Sequence, residues 1–265
     1  MSASVATNSK ERFSSRVADY VRYRPSYPPA AISLLRNECG LGPNSSVADI
    51  GSGTGILTKL LLETGAVVFG VEPNAEMRAA GEEFLREYPR FQSIAGSAEA
   101  TTLLDASAHL VTAGQAFHWF DPEMTRREWA RVLKSGGWAV LTWNERAVDA
   151  SPVMAEYEHL IERYGIDYSN VQHTYSENVG IGDFFAPSEV HTRDFPNRQD
   201  ADWDGFKGRL MSSSYAPAAD DSRHEPLMEG LRRIFSDHQK NGCVTFEYRT
   251  RVYWGHLAPR YGRKA

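Results

Sequence analysis

The run Val47-Ala48-Asp49-Ile50-Gly51-Ser52-Gly53-Thr54-Gly55-Ile56-Leu57 constrains this chain more than any other segment. A mostly apolar strand pattern leads into glycines at three alternate positions and then into an apolar helical pattern. Glycines there allow positive φ and let a ligand approach the backbone, while the following helix offers unpaired N–H groups. Glu72 ends the next apolar strand pattern, 17 residues after Gly55. A carboxylate at that point can accept hydrogen bonds from two ribose hydroxyls. Strand, glycine turn, helix, strand and acid together mark an adenosine-type ligand at the carboxyl ends of a doubly wound sheet.

Two cofactor classes compete for that description. A dinucleotide fold has G-x-G-x-x-G, whereas the spacing here is G-x-G-x-G. Asp49 sits two residues before the first glycine, where a pyrophosphate would be repelled. A ligand carrying ammonium and sulfonium charges, such as S-adenosylmethionine, makes a carboxylate favourable at this place. A turn that merely closes a tight strand-to-helix connection explains the glycines alone, but not Asp49 and Glu72 with them.

Around this turn, strand and helix patterns alternate. Helical patterns cover 30–36, 54–63 and 74–88, and strand patterns cover 46–50, 66–71, 91–95 and 109–113. Asp121-Pro122-Glu123 starts a helix expected to reach about Lys134 and stop at Gly136-Gly137, ahead of a fifth strand over 138–143. Apolar strands separated by helices predict a parallel sheet covered on both faces. An N-terminal helix is expected from Phe13, Val17, Tyr20 and Val21. Later elements are a helix over 152–164, a strand over 188–195, a helix over 226–239 and an edge strand over 244–253; the segment 169–182 has little apolar periodicity.

Composition bounds the rest. At 265 residues, about 150 per domain allows one large domain or a domain with an elaboration. Without a repeat, low-complexity tract or linker, one domain is expected: a cap over 1–44, a cofactor-binding core over 45–146, and lid and sheet completion over 147–265. Lys and Arg number 29 against 34 Asp and Glu, a net charge of −5, which disfavours a nucleic-acid partner. Cys39 and Cys243 form no disulfide scaffold or zinc pattern, and His159, His173, His191, His224, His238 and His256 have no metal-ligand spacing. No stretch approaches the roughly 20 apolar residues of a membrane span, and Met1 to Ser9 has no signal-like apolar region. A cytoplasmic, membrane-free setting is the expectation; the oligomeric state is left open.

VADIGSGTGIL (47–57), VFGVEPNAEM (68–77), AGSAEATTL (95–103), AGQAFHWFDPE (113–123) and RVLKSGGWAVLTWNER (131–146) together resemble the class I S-adenosylmethionine-dependent methyltransferases. Within these the chain is similar to the small-molecule, methyltransferase type 11 group that includes trans-aconitate methyltransferase-like enzymes. The motifs cover about 45–146, and YVRYRPSYP (20–28) and SSSYAP (212–217) resemble that group's cap and late loop. The resemblance implies a three-layer αβα Rossmann-like α/β fold, with a seven-stranded, mostly parallel sheet whose last strand is antiparallel.

It also implies site roles. Asp49, Gly51, Ser52 and Gly53 would hold the methionine part of the cofactor, Glu72 its ribose, with Pro73 and Asn74 continuing that wall. Ser97, Ala98 and Glu99 fall where the family contacts adenine, though Glu99 reads equally as a solvated helix acid. Gln115 and Ala116 would stand next to the sulfonium. Tyr23 and Arg24 are candidates to close over the methionine carboxylate. His118 is a candidate base or positioning group, with packing on Trp119 as its structural alternative. Trp119, Trp143, Asn144, Arg146 and Tyr215 are candidate substrate contacts; Arg146 reads equally as a surface residue beside Glu145, and Tyr215 as part of a polar loop. Gly114-Gln115-Ala116-Phe117 stands where nucleobase amino-methyltransferases carry Asn/Asp-Pro-Pro-Tyr, which favours a small-molecule acceptor, a carboxylic acid among the candidates. A nicotinamide-dependent oxidoreductase and a noncatalytic nucleoside-binding domain are the rival readings.

Overall fold

A computed structural model of the protein describes residues 23–168 and 180–258. The N-terminal helical pattern over 13–21 and most of the aperiodic segment 169–182 lie outside the described residues. The described elements are α1 (Pro29–Cys39), β1 (Ser46–Ile50), α2 (Ile56–Leu62), β2 (Val67–Val71), α3 (Ala75–Phe84), β3 (Phe91–Ile94), β4 (Ala108–Gly114), a 3-10 turn (Phe117–Trp119), α4 (Pro122–Val132), β5 (Leu133–Arg146), α5 (Pro152–Tyr164), α6 (Ile181–Phe185), β6 (Val190–Ala201), α7 (Trp203–Met211), α8 (His224–His238) and β7 (Val244–Gly255).

Local chemistry sets several of these boundaries. The Asn74 side chain accepts hydrogen bonds from the Glu76 and Met77 amides and starts α3. Asp121 accepts from the Met124 amide, and Pro122 occupies the first turn of α4. Asp202 caps α7 through the Gly205 amide. Such caps satisfy amides that have no partner inside the helix. Gly40 closes α1 in the left-handed conformation.

The strands form one seven-stranded sheet in the order β3-β2-β1-β4-β5-β7-β6, with the last strand antiparallel, as the α/β expectation required. β1 pairs in parallel with β2 on one side and β4 on the other. Strand order therefore reverses at β1, the point where open α/β sheets bind ligands.

Two sequence expectations are corrected. Helix α4 ends at Val132, because Leu133 already has extended backbone, and β5 runs through Gly136 and Gly137. The glycines thus lie within the span of the strand and do not mark the end of the helix. Strand β7 is not at the sheet edge; it lies between β5 and β6. Its alternation reports one more deeply buried face, which an interior antiparallel strand shares. β6 is the edge strand, mostly exposed, with Arg193, Asp194, Pro196 and Arg198 along it. Charge and proline suit an edge.

The chain divides into two compact units, the first comprising Ser26–Trp143, Val179–Phe195 and Thr250–Ala265, the second Met1–Pro25, Asn144–Asn178 and Pro196–Arg249. The first has its own core, including Val47, Leu61, Val68, Leu110 and Val140. The second packs Tyr157, Phe206, Leu231, Ile234 and Phe246 around α5, α7, α8 and β7. No helix among the described residues is long and apolar enough to cross a membrane.

Candidate functional site

In the first unit, β1 delivers Asp49 and the glycine turn to the point of strand reversal. Gly51, Gly53 and Gly55 all have positive φ, at 66°, 56° and 89°. At Gly51 space matters as much as the dihedral, since a Cβ there would stand 2.7 Å from the Ala116 Cβ. The turn is pinned to β2 by hydrogen bonds from the Gly51 and Ser52 amides to the Val71 carbonyl, at 2.8 and 3.2 Å.

Glu72 organises the other wall. Its Oε2 accepts from the Gly53 amide and its Oε1 from the Asn74 amide, both at 2.9 Å. The Arg78 guanidinium donates to its backbone carbonyl. An ionised carboxylate has about four acceptor positions. Pro73, beside it, is exposed.

Asp49 is 1% exposed. Thr58 Oγ1 donates to its Oδ2 at 2.6 Å. Its Oδ1 is buried with no hydrogen-bond partner among the described residues. Thr112, its neighbour in register on β4, also has a buried hydroxyl without a partner. Burial pushes the Asp49 carboxyl up to about 7, against the pull of the Thr58 bond and with the help of the Glu72 charge. A buried carboxylate with an unused oxygen is expensive unless a cation or donor meets it.

The loops after β3 and β4 complete this wall. Ser97 and Ala100 close a small turn by reciprocal backbone bonds, and Ala98 within it is buried. Glu99 accepts from the Asp121 amide at 3.0 Å, which joins this turn to the start of α4. No helix follows Ser97, so the helix-acid alternative for Glu99 is set aside. Gln115 has a φ of 57°, its amide donating to the Thr142 carbonyl. Ala116, 9% exposed, then begins the 3-10 turn that carries His118. His118 lies 4.7 Å from Trp119 between ring centroids, and burial pushes its imidazole down to about 4. Trp119 is half-exposed.

Trp143 departs from expectation. It is fully buried, edge-on to Phe117 and Tyr253, and is a core residue of the first unit. Residues not singled out from the sequence prove to shape the site. Thr58 holds Asp49, Phe120 lies beside Gly51, and the Tyr27 hydroxyl stands 2.5 Å from where a Gly114 Cβ would be. The signal for Thr58 was its place on α2, nine positions after Asp49.

The remaining candidates belong to the second unit. Tyr23 fills the space over Gly208, and Arg24 donates to the Ser212 carbonyl at 3.0 Å. Asn144 accepts from Asn197. Arg146 is no surface residue beside Glu145. Its guanidinium is held by Glu158 at 2.9 Å, by the Tyr215 hydroxyl at 3.0 Å and by Tyr168. Tyr215 is 4% exposed, which replaces the polar-loop reading. No cluster of three or more potential metal ligands occurs among the described residues.

Residues 48–141 match the family described as the methyltransferase domain. The chain is 42% identical over 134 residues to an uncharacterized methyltransferase of Mycobacterium tuberculosis, covering 51% of this chain and 52% of that protein. It is 33% identical over 152 residues to an uncharacterized methyltransferase of Schizosaccharomyces pombe, covering 57% and 59%. The alignment thus spans about half the length of these curated relatives. A solved structure from Anaeromyxobacter dehalogenans, provisionally named a type II methyltransferase, shares the fold with a TM-score of 0.64 at 21% identity, covering 90% of this chain and all of that one.

Proposed function

We propose, on the premise that residues 48–141 are a class I S-adenosylmethionine-dependent methyltransferase domain, that the whole chain transfers a methyl group to a small-molecule acceptor. The observation that carries this reading is the buried Oδ1 of Asp49, without a partner among the described residues, beside a turn of three positive-φ glycines. That pairing suits a ligand with positive charge and a polar, close-fitting body.

S-adenosylmethionine supplies a methyl group already activated by positive sulfur. The chain's task is to bind, align and exclude water. In our reading Asp49, Gly51, Ser52 and Gly53 hold the methionine portion, with Asp49 facing its cationic end. Glu72 takes the ribose hydroxyls, with Pro73 beside it. Ser97, Ala98 and Glu99 border the adenine, and Gln115 and Ala116 border the reacting carbon. His118, held neutral by burial, accepts or donates a hydrogen bond to position the acceptor.

The finer proposal is an acceptor of the kind used by the trans-aconitate methyltransferase-like group, a carboxylic acid among the candidates. A carboxylate acceptor needs no base, which agrees with a histidine that stays neutral. The Gly114-Gln115-Ala116-Phe117 loop and the net charge of −5 support an acceptor other than nucleic acid. Free thiols at Cys39 and Cys243 suit a reducing, cytoplasmic setting.

The test is calorimetric titration with S-adenosylhomocysteine. Wild-type protein binds it, and Glu72→Ala or Gly51→Val largely abolishes the heat. Absence of binding to pure, folded wild-type protein sinks the reading.

A further inference from the structure

Asp49 and Thr112 are register partners on the parallel strands β1 and β4. Neighbours in register project to the same face of a sheet, and strands lie about 4.8 Å apart. Thr58 on α2 identifies that face, since its Oγ1 donates to Asp49 Oδ2. Both Asp49 and Thr112 are 1% exposed. Asp49 Oδ1 and Thr112 Oγ1 are each buried without a hydrogen-bond partner among the described residues. A buried acceptor and a buried donor thus stand on adjacent strands, each carrying the cost of a bond not made.

The rest of the row across the sheet points the same way. β2 places Gly70 beside Asp49, with Ser93 of β3 beyond it, and β5 places Val140 beside Thr112. Glycine has no side chain and valine no polar side-chain atom. Within the row, Thr112 is therefore the adjacent side chain able to bond Asp49, and Asp49 the one able to bond Thr112. Rotation about χ1 exchanges the hydroxyl and methyl of a threonine without moving the backbone, and at strand spacing it brings the hydroxyl within reach of a neighbouring carboxylate. The titratable group acting on Asp49 is Glu72, just past β2; α2 and β4 face it with the neutral hydroxyls of Thr58 and Thr112. A hydrogen bond to a charged acceptor is roughly twice as strong as one between neutral groups, so loss of the Asp49 proton is the event that favours it.

We propose that Thr112 is a positioning residue for Asp49, its hydroxyl donating to Oδ1 when the carboxylate is ionised. Thr58 and Thr112 then fix the two carboxylate oxygens from two different elements. The effect of this bond on cofactor binding rests on the methyltransferase reading above; the bond itself does not.

Carbon-13 NMR of the ligand-free full chain tests this by following the Asp49 carboxyl, identified by its absence in Asp49→Asn, through a pH titration. Wild type should titrate at about 7. Thr112→Val keeps the shape and removes the donor, so its midpoint should lie about one pH unit higher, an about tenfold smaller ionisation constant. Thr112→Ser keeps the hydroxyl and should stay near wild type. Thr112→Ala also removes the donor and takes the place of Thr112→Val where that variant fails to fold. An unchanged or lowered midpoint without the donor overturns the proposal, as does a rise in Thr112→Ser equal to that in Thr112→Val. S-adenosylhomocysteine is titrated calorimetrically in parallel. With the ionised carboxylate as the binding form, Thr112→Val should bind it about fivefold more weakly at pH 7 and close to wild type at pH 9. Equal weakening at both pH values overturns the positioning role. A raised midpoint in Thr112→Val, with no S-adenosylhomocysteine bound by folded wild type, supports the bond and removes the methyltransferase reading.

Discussion

Thr58 Oγ1 donates to Asp49 Oδ2 across 2.6 Å, and Oδ1 of the same carboxylate is buried without a partner among the described residues. The carboxylate is therefore fixed in direction before any ligand arrives. Its pKa rises from the ordinary 3.8 to about 7, chiefly through burial.

The first prediction follows from that rise. Between about pH 4 and pH 7 the folded state keeps the Asp49 proton while the unfolded chain has lost it. Stability from this group therefore falls as pH increases across the window. Asp49→Asn should make the ligand-free protein more stable at pH 8, by on the order of 1–3 kcal/mol, with little difference at pH 4. Urea unfolding at both pH values measures it, and a variant less stable at pH 8 contradicts the assignment.

The same group should couple to the cofactor. A cationic ligand favours the charged carboxylate, so S-adenosylmethionine binding should release protons near pH 6 to 7 and tighten as pH rises. Titrations in buffers of different ionisation enthalpy count those protons. In Asp49→Asn the release should vanish and affinity should drop by about tenfold or more, equivalent to about 1.4 kcal/mol.

Glu72 has a structural duty beside its binding one, because it bridges the Gly53 and Asn74 amides. Glu72→Ala should cost about 1–3 kcal/mol of folding stability in addition to most S-adenosylhomocysteine affinity. Glu72→Gln keeps one acceptor oxygen but points an NH2 at one of the two amides. It should fall between wild type and Ala in both measurements; loss of affinity with stability intact in Glu72→Ala would separate the two duties and refute the bridge.

Gly51 and Gly53 should differ in severity. Gly51→Ala places a Cβ 2.7 Å from that of Ala116, whereas at Gly53 the new atom meets only the flexible end of Met77 at 3.3 Å. Both variants are strained by positive φ. The first should lose about 1–3 kcal/mol more than the second by thermal or urea unfolding. Equal losses would mean that the dihedral alone governs the turn.

His118 is depressed to about 4 by burial, so it is neutral in the folded protein from about pH 5 upward. The unfolded chain takes up that proton below pH 6.5, and stability from this residue is lost as pH falls from 6.5 towards 4. His118→Asn should flatten that acid sensitivity, leave S-adenosylhomocysteine affinity unchanged and alter acceptor turnover. A turnover step near pH 6.5 that disappears in the variant would restore the histidine as a titrating base.

The glycine turn and its two acids were legible because their chemistry is local. Asp49, Gly51 to Gly55 and Glu72 announce themselves through spacing, with Glu72 only 23 positions after Asp49. The second unit was not readable, since its polar contacts join distant stretches: Arg146 meets Tyr215 across 69 positions, and Arg209 meets Tyr248 across 39. Trp143 misled because a strand end near a ligand and a strand end in the core have the same composition. β7 misled because alternation gives the burial of a face and says nothing of how many neighbours a strand has. The charges on β6 held that information.

The two acids of the first unit carry different kinds of evidence. A descendant that abandoned its reaction would still gain from Glu72, because its carboxylate bridges the Gly53 and Asn74 amides. Nothing among the described residues pairs with Oδ1 of Asp49, and an asparagine there would avoid burying a charge. Among sequences bearing this turn, a retained aspartate at position 49 is thus the sharper sign that the proposed cofactor is bound, and a retained glutamate at 72 is a sign of an intact turn as well.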